Sequence, residues 1–217
     1  MRRFALATTL VLAATAPLAL ADTAPASVAP VPKGAYTMDK AHTSLIFRVN
    51  HLGFSSFTGR FTRLDARLET DPSKLTASKL NVTIDPASVE TDNAPEGFLD
   101  MVRGKGWLET ADFPEMKFRS TRVEVTAANQ IRVQGELTFH GVTRPIVLDA
   151  KYNGGYAGHP MDPHARIGFS ATGKFKRSDF GVTVGIPAPG TTMGVGDEVE
   201  IVLETELSGP ALAVAKN

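Results

Sequence analysis

The chain has 217 residues, 23 Lys and Arg against 23 Asp and Glu, and no cysteine. Such a balance excludes the broad basic face that a nucleic-acid binder presents, and the missing cysteine excludes a disulfide framework and thiol chemistry. Stability must come from a hydrophobic core, which a chain with 42% hydrophobic residues is long enough to bury.

Met1-Arg2-Arg3 is a short basic start, Phe4 to Leu20 is an apolar run broken by Thr8, Thr9, Thr15 and Pro17, and Ala19-Leu20-Ala21 offers a small-residue cleavage site. The pattern predicts a secretory signal peptide over residues 1–21 rather than a retained membrane span. An exported, periplasmic protein follows. Loss of Arg2 and Arg3 leaves 21 basic against 23 acidic groups, a net charge of minus two. Residues 22–35, with Pro25, Pro30 and Pro32 among small residues, read as an extended tether. Residues 36–208 read as one all-β domain, and 209–217 as a tail.

The first predicted strand, Thr43 to His51, puts Leu45, Phe47, Val49 and His51 in one row. Leu52 to Gly59 is rich in turn residues and is flanked by Phe54 and Phe57. A second strand begins near Phe61 and carries Leu64, Ala66 and Leu68; the change of parity between Phe61 and Leu64 predicts a bulge or a late entry into the ladder. Asp71-Pro72-Ser73 is a turn, and Ser78 to Ile84 is a third strand with Leu80, Val82 and Ile84 inward.

Alternation stops from Ala94 to Leu108, where Phe98, Met101, Val102 and Leu108, with Trp107 beside them, fit a short helical cap. Either this cap packs on the sheet end as ordinary core or it covers an opening. Strands return at Glu115 to Arg119 and Arg122 to Thr126.

The clearest hairpin lies between Gln134 and Leu148. Ile131, Val133, Leu137 and Phe139 form a dry row, the chain turns at His140-Gly141, and Ile146, Leu148, Ala150 and Tyr152 resume the period of two. Gly135 falls in the dry row and predicts a bend or bulge, while Pro145 marks a strand start that needs no ladder donor. Arg166 to Phe175 places Ile167, Phe169, Ala171 and Phe175 on one face. In the last strand Val199, Ile201, Leu203, Thr205 and Leu207 alternate with Glu200, Val202, Glu204 and Glu206, and the acids read as a solvated face rather than a metal site.

No Gly-x-Ser-x-Gly elbow, Ser-x-x-Lys, His-Glu-x-x-His or phosphate loop occurs, so the chain reads as a non-enzyme without cofactor. His159-Pro-Met-Asp162-Pro-His164 reads as a surface loop between glycines and prolines, not a metal centre.

Asp39 to His42, Phe47, Val49 and His51 with Gly59-Arg60-Phe61, the stretch Gly135 to Pro145, Arg177-Ser-Asp-Phe-Gly181 and Val195-Gly-Asp-Glu-Val199 together resemble the YceI-like family of exported lipid-binding proteins, over about Tyr36 to Leu207. The resemblance implies an extended antiparallel, lipocalin-like β-barrel of about eight strands with a short helical cap. It also implies an apolar lumen for a polyisoprenoid or another long-chain amphiphile, of quinone or polyprenyl type, and it allows a homodimer.

On that reading Phe47, Val49, Phe61, Leu137, Phe139, Phe169, Phe175, Ile201 and Leu203 line the lumen, with Phe98, Met101 and Trp107 in the cap. His51, Arg60, Arg177 and Asp179 are the rim candidates for a headgroup; for Arg177 with Asp179 a structural ion pair is the competing role. The chain departs from the family before Trp107. Where the family usually shows Arg-Asp-x-His-Leu-Arg-Ser, this chain has Phe98-Leu-Asp-Met-Val-Arg-Gly104, and only Arg103 keeps its chemical type. A greasier cap and a modest headgroup are expected. Parity alone leaves a lined lumen and a filled core both open, so a scaffold with a packed barrel and a lipid-modifying hydrolase or isomerase stand as the alternatives.

Overall fold

The computed structural model describes residues 31–158 and 161–212. The expected signal peptide, most of the expected tether, His159 and residues 213–217 of the tail lie outside the described residues. Among the described residues there are ten strands: β1 (Gly34–His51), β2 (Ser55–Phe61), β3 (Leu64–Thr70), β4 (Lys79–Ile84), β5 (Val89–Glu90), β6 (Met116–Ala127), β7 (Gln130–Phe139), β8 (Val142–Tyr156), β9 (His164–Lys176) and β10 (Val195–Ala211). One α-helix, α1 (Phe98–Arg103), and three short 3-10 turns interrupt them.

Eight of the strands close a barrel in the antiparallel order β1, β10, β9, β8, β7, β6, β4, β3, with β3 returning to the start of β1. Closure gives every strand in the ring a partner on both sides over part of its length. β2 stands outside the ring as a lip: it pairs with the second half of β1, from Leu45↔Phe61 to His51↔Ser55, and carries β5 on its other side. The parity change read between Phe61 and Leu64 is the break between β2 and β3.

Several boundaries differ from the sequence reading. β1 begins at Gly34, whose partner is Thr70, so the end of the expected tether belongs to the barrel. β2 begins at Ser55, inside the expected connection, because the turn needs only Leu52, Gly53 and Phe54; the first two have φ of 57° and 75°, and the Asn50 side chain accepts from the Gly53 N–H at 2.9 Å. The two strands expected across 115–126 are one strand, β6, with a bulge between Ser120 and Arg122. Pro145 lies within β8, not at its start. Its neighbour β9 joins the ladder only from Leu148, so the missing N–H interrupts no bond there.

The hairpin of β7 and β8 forms as expected. His140 and Gly141 both have positive φ, 51° and 72°, which is the two-residue turn whose twist suits a hairpin. Gly135 itself pairs regularly with Ile146, and the bulge falls opposite it on β6. The glycine serves the core: the Phe118 ring fills the space its Cβ would take.

One end of the barrel is tied by charge. Arg166 on β9 donates to Asp39 of β1 and to Asp162, both at 2.6 Å, and reaches Glu206 of β10 at 3.3 Å. His42 adds a contact to Asp39 at 3.0 Å. The acids of the last strand are thus engaged on the outer face, Glu200 with Arg48 and Glu204 with Ser170. Although Asp39, His42 and Glu206 converge, a guanidinium holds two of them.

Candidate functional site

At the opposite end the barrel opens into a cavity of about 620 Å³. Its walls follow from the period of two. Leu45, Phe47 and Val49 on β1, Leu137 and Phe139 on β7, and Val199 and Ile201 on β10 point inward because their neighbours point to water. The size lies within the range of sites for a drug-sized or larger organic ligand.

The lip adds an aromatic wall. Phe47 meets Phe61 with ring centres 5.3 Å apart and Phe57 at 6.2 Å, and Phe57 meets Phe98 of α1 at 5.6 Å. Gly59, between Phe57 and Phe61, gives its Cβ space to the Phe47 ring. The helix therefore continues the wall across the opening. Phe98, Met101, Val102, Trp107 and Leu108 all face the cavity, and Met101 is 48% exposed at its edge. Arg103 anchors this cap by donating to the carbonyls of Ala87 and Val89, both at 3.0 Å.

A loop over residues 181–194 contributes Val182 to the cavity wall, and Arg177 ties it to the start of β10. The side chain is 4% exposed and donates to four main-chain carbonyls: Gly196 at 2.9 Å, Val182 at 3.2 Å, Val184 at 2.8 Å and Val195 at 2.8 Å. Its guanidinium lies 5.5 Å from the centre of the Trp107 ring. Burial pushes its pKa down, and Asp197 opposes that. Polar groups at the cavity are confined to His51, Ser55, Thr58, the Thr91–Asn93 turn and Arg177.

The structure gathers ten of the twelve expected lumen residues round this cavity: Phe47, Val49, Phe61, Phe98, Met101, Trp107, Leu137, Phe139, Phe175 and Ile201. Phe169 and Leu203 face a second, smaller cavity instead. Of the rim candidates, His51, which is exposed, and Arg177, which is buried, line the cavity. Arg60 does not: it lies on the outer face of β2, bound to Glu90 at 3.1 Å and Asp92 at 3.4 Å. Asp179 is exposed in the turn Arg177–Phe180, and in place of the ion pair that competed with a headgroup role Arg177 makes the four carbonyl bonds. The acid that fixes this turn is Asp197, which accepts from the Ser178 N–H at 2.9 Å and its hydroxyl at 2.8 Å.

Phe57, Met116, Val182 and Val195 also line the cavity and were not singled out as site residues. Phe57 shares its parity with Gly59 and Phe61, a signal that the turn-rich reading of the stretch obscured. Val182 and Val195 lie at the ends of an aperiodic loop, where no pattern marks an inward residue.

Residues 36–207 match the model of the YceI-like domain. A UPF0312 protein of Pseudomonas savastanoi is 38% identical over 161 residues, which is 72% of this chain and 79% of that protein. Among solved structures, the YceI protein of Campylobacter jejuni superposes with a TM-score of 0.61 at 31% identity, over 74% of this chain and 90% of its own. A polyisoprenoid-binding domain from Saccharophagus degradans, at 18% identity, shares the fold with a TM-score of 0.55 over 81% of this chain and 98% of that domain.

Proposed function

The chain belongs to the YceI-like family, and we propose that it is an exported, periplasmic, non-catalytic carrier that holds a long-chain amphiphilic lipid in the barrel. Among lipids, an isoprenoid tail such as that of a quinone or polyprenyl species fits best. The observation that carries the reading is the distribution of chemistry round the 620 Å³ cavity: the wall is mostly apolar, the polar residues His51, Ser55, Thr58, Asp92 and Asn93 are exposed, and the buried Arg177 is bound to main-chain carbonyls. The polyisoprenoid-binding domain that shares the fold supports the choice of tail.

The energetics fit a tail-dominated grip. At roughly 0.8 kcal/mol per buried methylene, a dozen tail carbons bring about 10 kcal/mol before ordering costs. The cap needs no strong headgroup contact, and this chain offers a modest one: the exposed His51 and Arg177, four of whose five N–H donors are already on carbonyls. Those engaged donors also favour holding a lipid over converting one. A lumen of this volume weighs against a packed scaffold.

Trp107 is the sole tryptophan and lines the cavity. Titration of the purified protein with a short-chain ubiquinone is expected to quench its fluorescence saturably at one ligand per chain. A response no greater than that of free tryptophan would contradict the reading.

A further inference from the structure

Two segments beside the large cavity carry no formal charge. In a chain with 21% charged residues, neither residues 49–59 nor residues 180–196 contain a Lys, Arg, Asp or Glu. The first segment holds the turn from β1 into β2, and His51 and Ser55, which flank that turn, are both exposed and both line the cavity. The second is the loop before β10, with Val182 and Val195 in the cavity wall near its ends. The two adjoin. The Leu52 N–H donates to the Gly194 carbonyl at 2.8 Å, and the Thr192 hydroxyl donates to the Leu52 carbonyl at 3.3 Å. Close to these bonds stand Phe54 and Met193, 80% and 66% exposed, so the joined segments form one uncharged patch with two large apolar side chains in water.

We infer that this patch docks on the surface of a lipid bilayer, where Phe54 and Met193 enter the apolar layer while the cavity beside them takes up or returns its lipid. The inference rests on the lipid reading above and adds where the cargo is exchanged. A long-chain amphiphile resides in a bilayer, and each methylene drawn through water lowers the population of the crossing state by about fourfold, so exchange at contact wins over exchange through solvent. Apolar residues scattered singly over a surface need no explanation. These two lie on hydrogen-bonded neighbours that both reach the cavity, and their segments bring no charge that entry would dehydrate. Charge does not drive the docking. The patch offers no Lys or Arg to an anionic headgroup, and near the cap Asp92 and Asp100 are ion-paired with Arg60 and Arg103. Apolar area is therefore the source of the attraction.

The test follows transfer of a short-chain ubiquinone from the loaded protein to phosphatidylcholine vesicles, read as recovery of Trp107 fluorescence. Docking predicts a rate that rises in proportion to vesicle concentration. The rate should change by less than about twofold when phosphatidylglycerol replaces part of the phosphatidylcholine or when salt is raised. Phe54→Ser combined with Met193→Ser should slow transfer by about tenfold or more, the factor by which burying one large apolar side chain shifts an equilibrium. Quinone affinity without vesicles should stay as in wild type, since neither residue lines the cavity. Met161→Ser removes a side chain that is 90% exposed beside Asp162 of the charged cluster, at the far end, and should transfer like wild type. A rate independent of vesicle concentration, or unchanged in the double variant, overturns docking and leaves the lipid reading standing. Strong acceleration by phosphatidylglycerol that salt abolishes overturns it as well, by assigning the contact to charge. A double variant that transfers like wild type but sediments as a monomer where wild type is a dimer makes the patch a contact between copies of this chain, and docking falls. Wild type that loads no quinone overturns the lipid reading and this inference together.

Discussion

The ring of Phe118 occupies the space where a Cβ on Gly135 would stand, across the β6–β7 ladder. The main-chain carbonyl of Arg119 closes the same space at 2.6 Å from that position, so an alanine could not be accommodated by moving the ring alone. Gly135→Ala is therefore expected to destabilise the barrel by about 1–3 kcal/mol, the usual cost of overpacking a core. Phe118→Leu combined with it should recover part of the loss and not all. Urea midpoints of the two single variants and the double variant measure this directly.

Arg177 ties the loop over residues 181–194 to the start of β10 by four carbonyl bonds. Arg177→Leu removes all four, and each carbonyl left buried without a donor costs about 1–3 kcal/mol. Arg177→Lys should rescue little, since an ammonium lacks the flat fork that spans Val182, Val184 and Val195. Hydrogen exchange should rise most over residues 182–196, and stability should fall in both variants. Loss of headgroup selectivity with unchanged exchange would instead make Arg177 a ligand-contacting group.

The charged cluster at the far end predicts an acid-sensitive clasp. Hydrogen bonding to Arg166 and then His42 holds the Asp39 carboxyl well below its usual range, and Arg166 with Tyr156 lowers Asp162 to about 2. Because both values are depressed by folding, the stability they contribute is present above the ordinary carboxylate value of 3.8 and is lost as the pH falls through the folded values. Arg166→Gln should be less stable than wild type near neutrality, and the gap should narrow as the pH falls below about 4 and close only below about pH 2. Parallel curves across that window would show that these pairs contribute nothing to stability.

Phe98 and Met101 carry the cap's apolar surface, and Met101 already stands half in water. Replacing both by serine should weaken binding of a long-chain ligand by about tenfold or more, since burial of one such side chain is worth about 1.5–3 kcal/mol. Thermal stability should change little, as neither residue belongs to the buried core. Unchanged ligand retention would remove α1 from the site.

The strands were legible because each has one dry face: the rows through Leu45 to Val49, Leu137 to Phe139 and Val199 to Leu207 fixed which side chains point inward. Periodicity says nothing of level along the barrel, however, which is why Phe169 and Leu203 were grouped with residues of the other cavity. It also cannot see a guanidinium choosing carbonyls over a nearby acid, so Arg177 and Asp179 were coupled by sequence proximity when the partners lie at Val182, Val184, Val195 and Gly196. Gly135 was recognised as out of place in a dry row, but its reason, a ring from the neighbouring strand, is a tertiary contact that no local pattern contains.

The most direct test of the central claim is mass spectrometry of organic extracts from the protein purified after export, run beside an unrelated exported protein treated identically. The account predicts a prenyl lipid or quinone in near-stoichiometric amount, absent from the control. A barrel that yields no lipid and takes up none when prenyl lipids are added would contradict it.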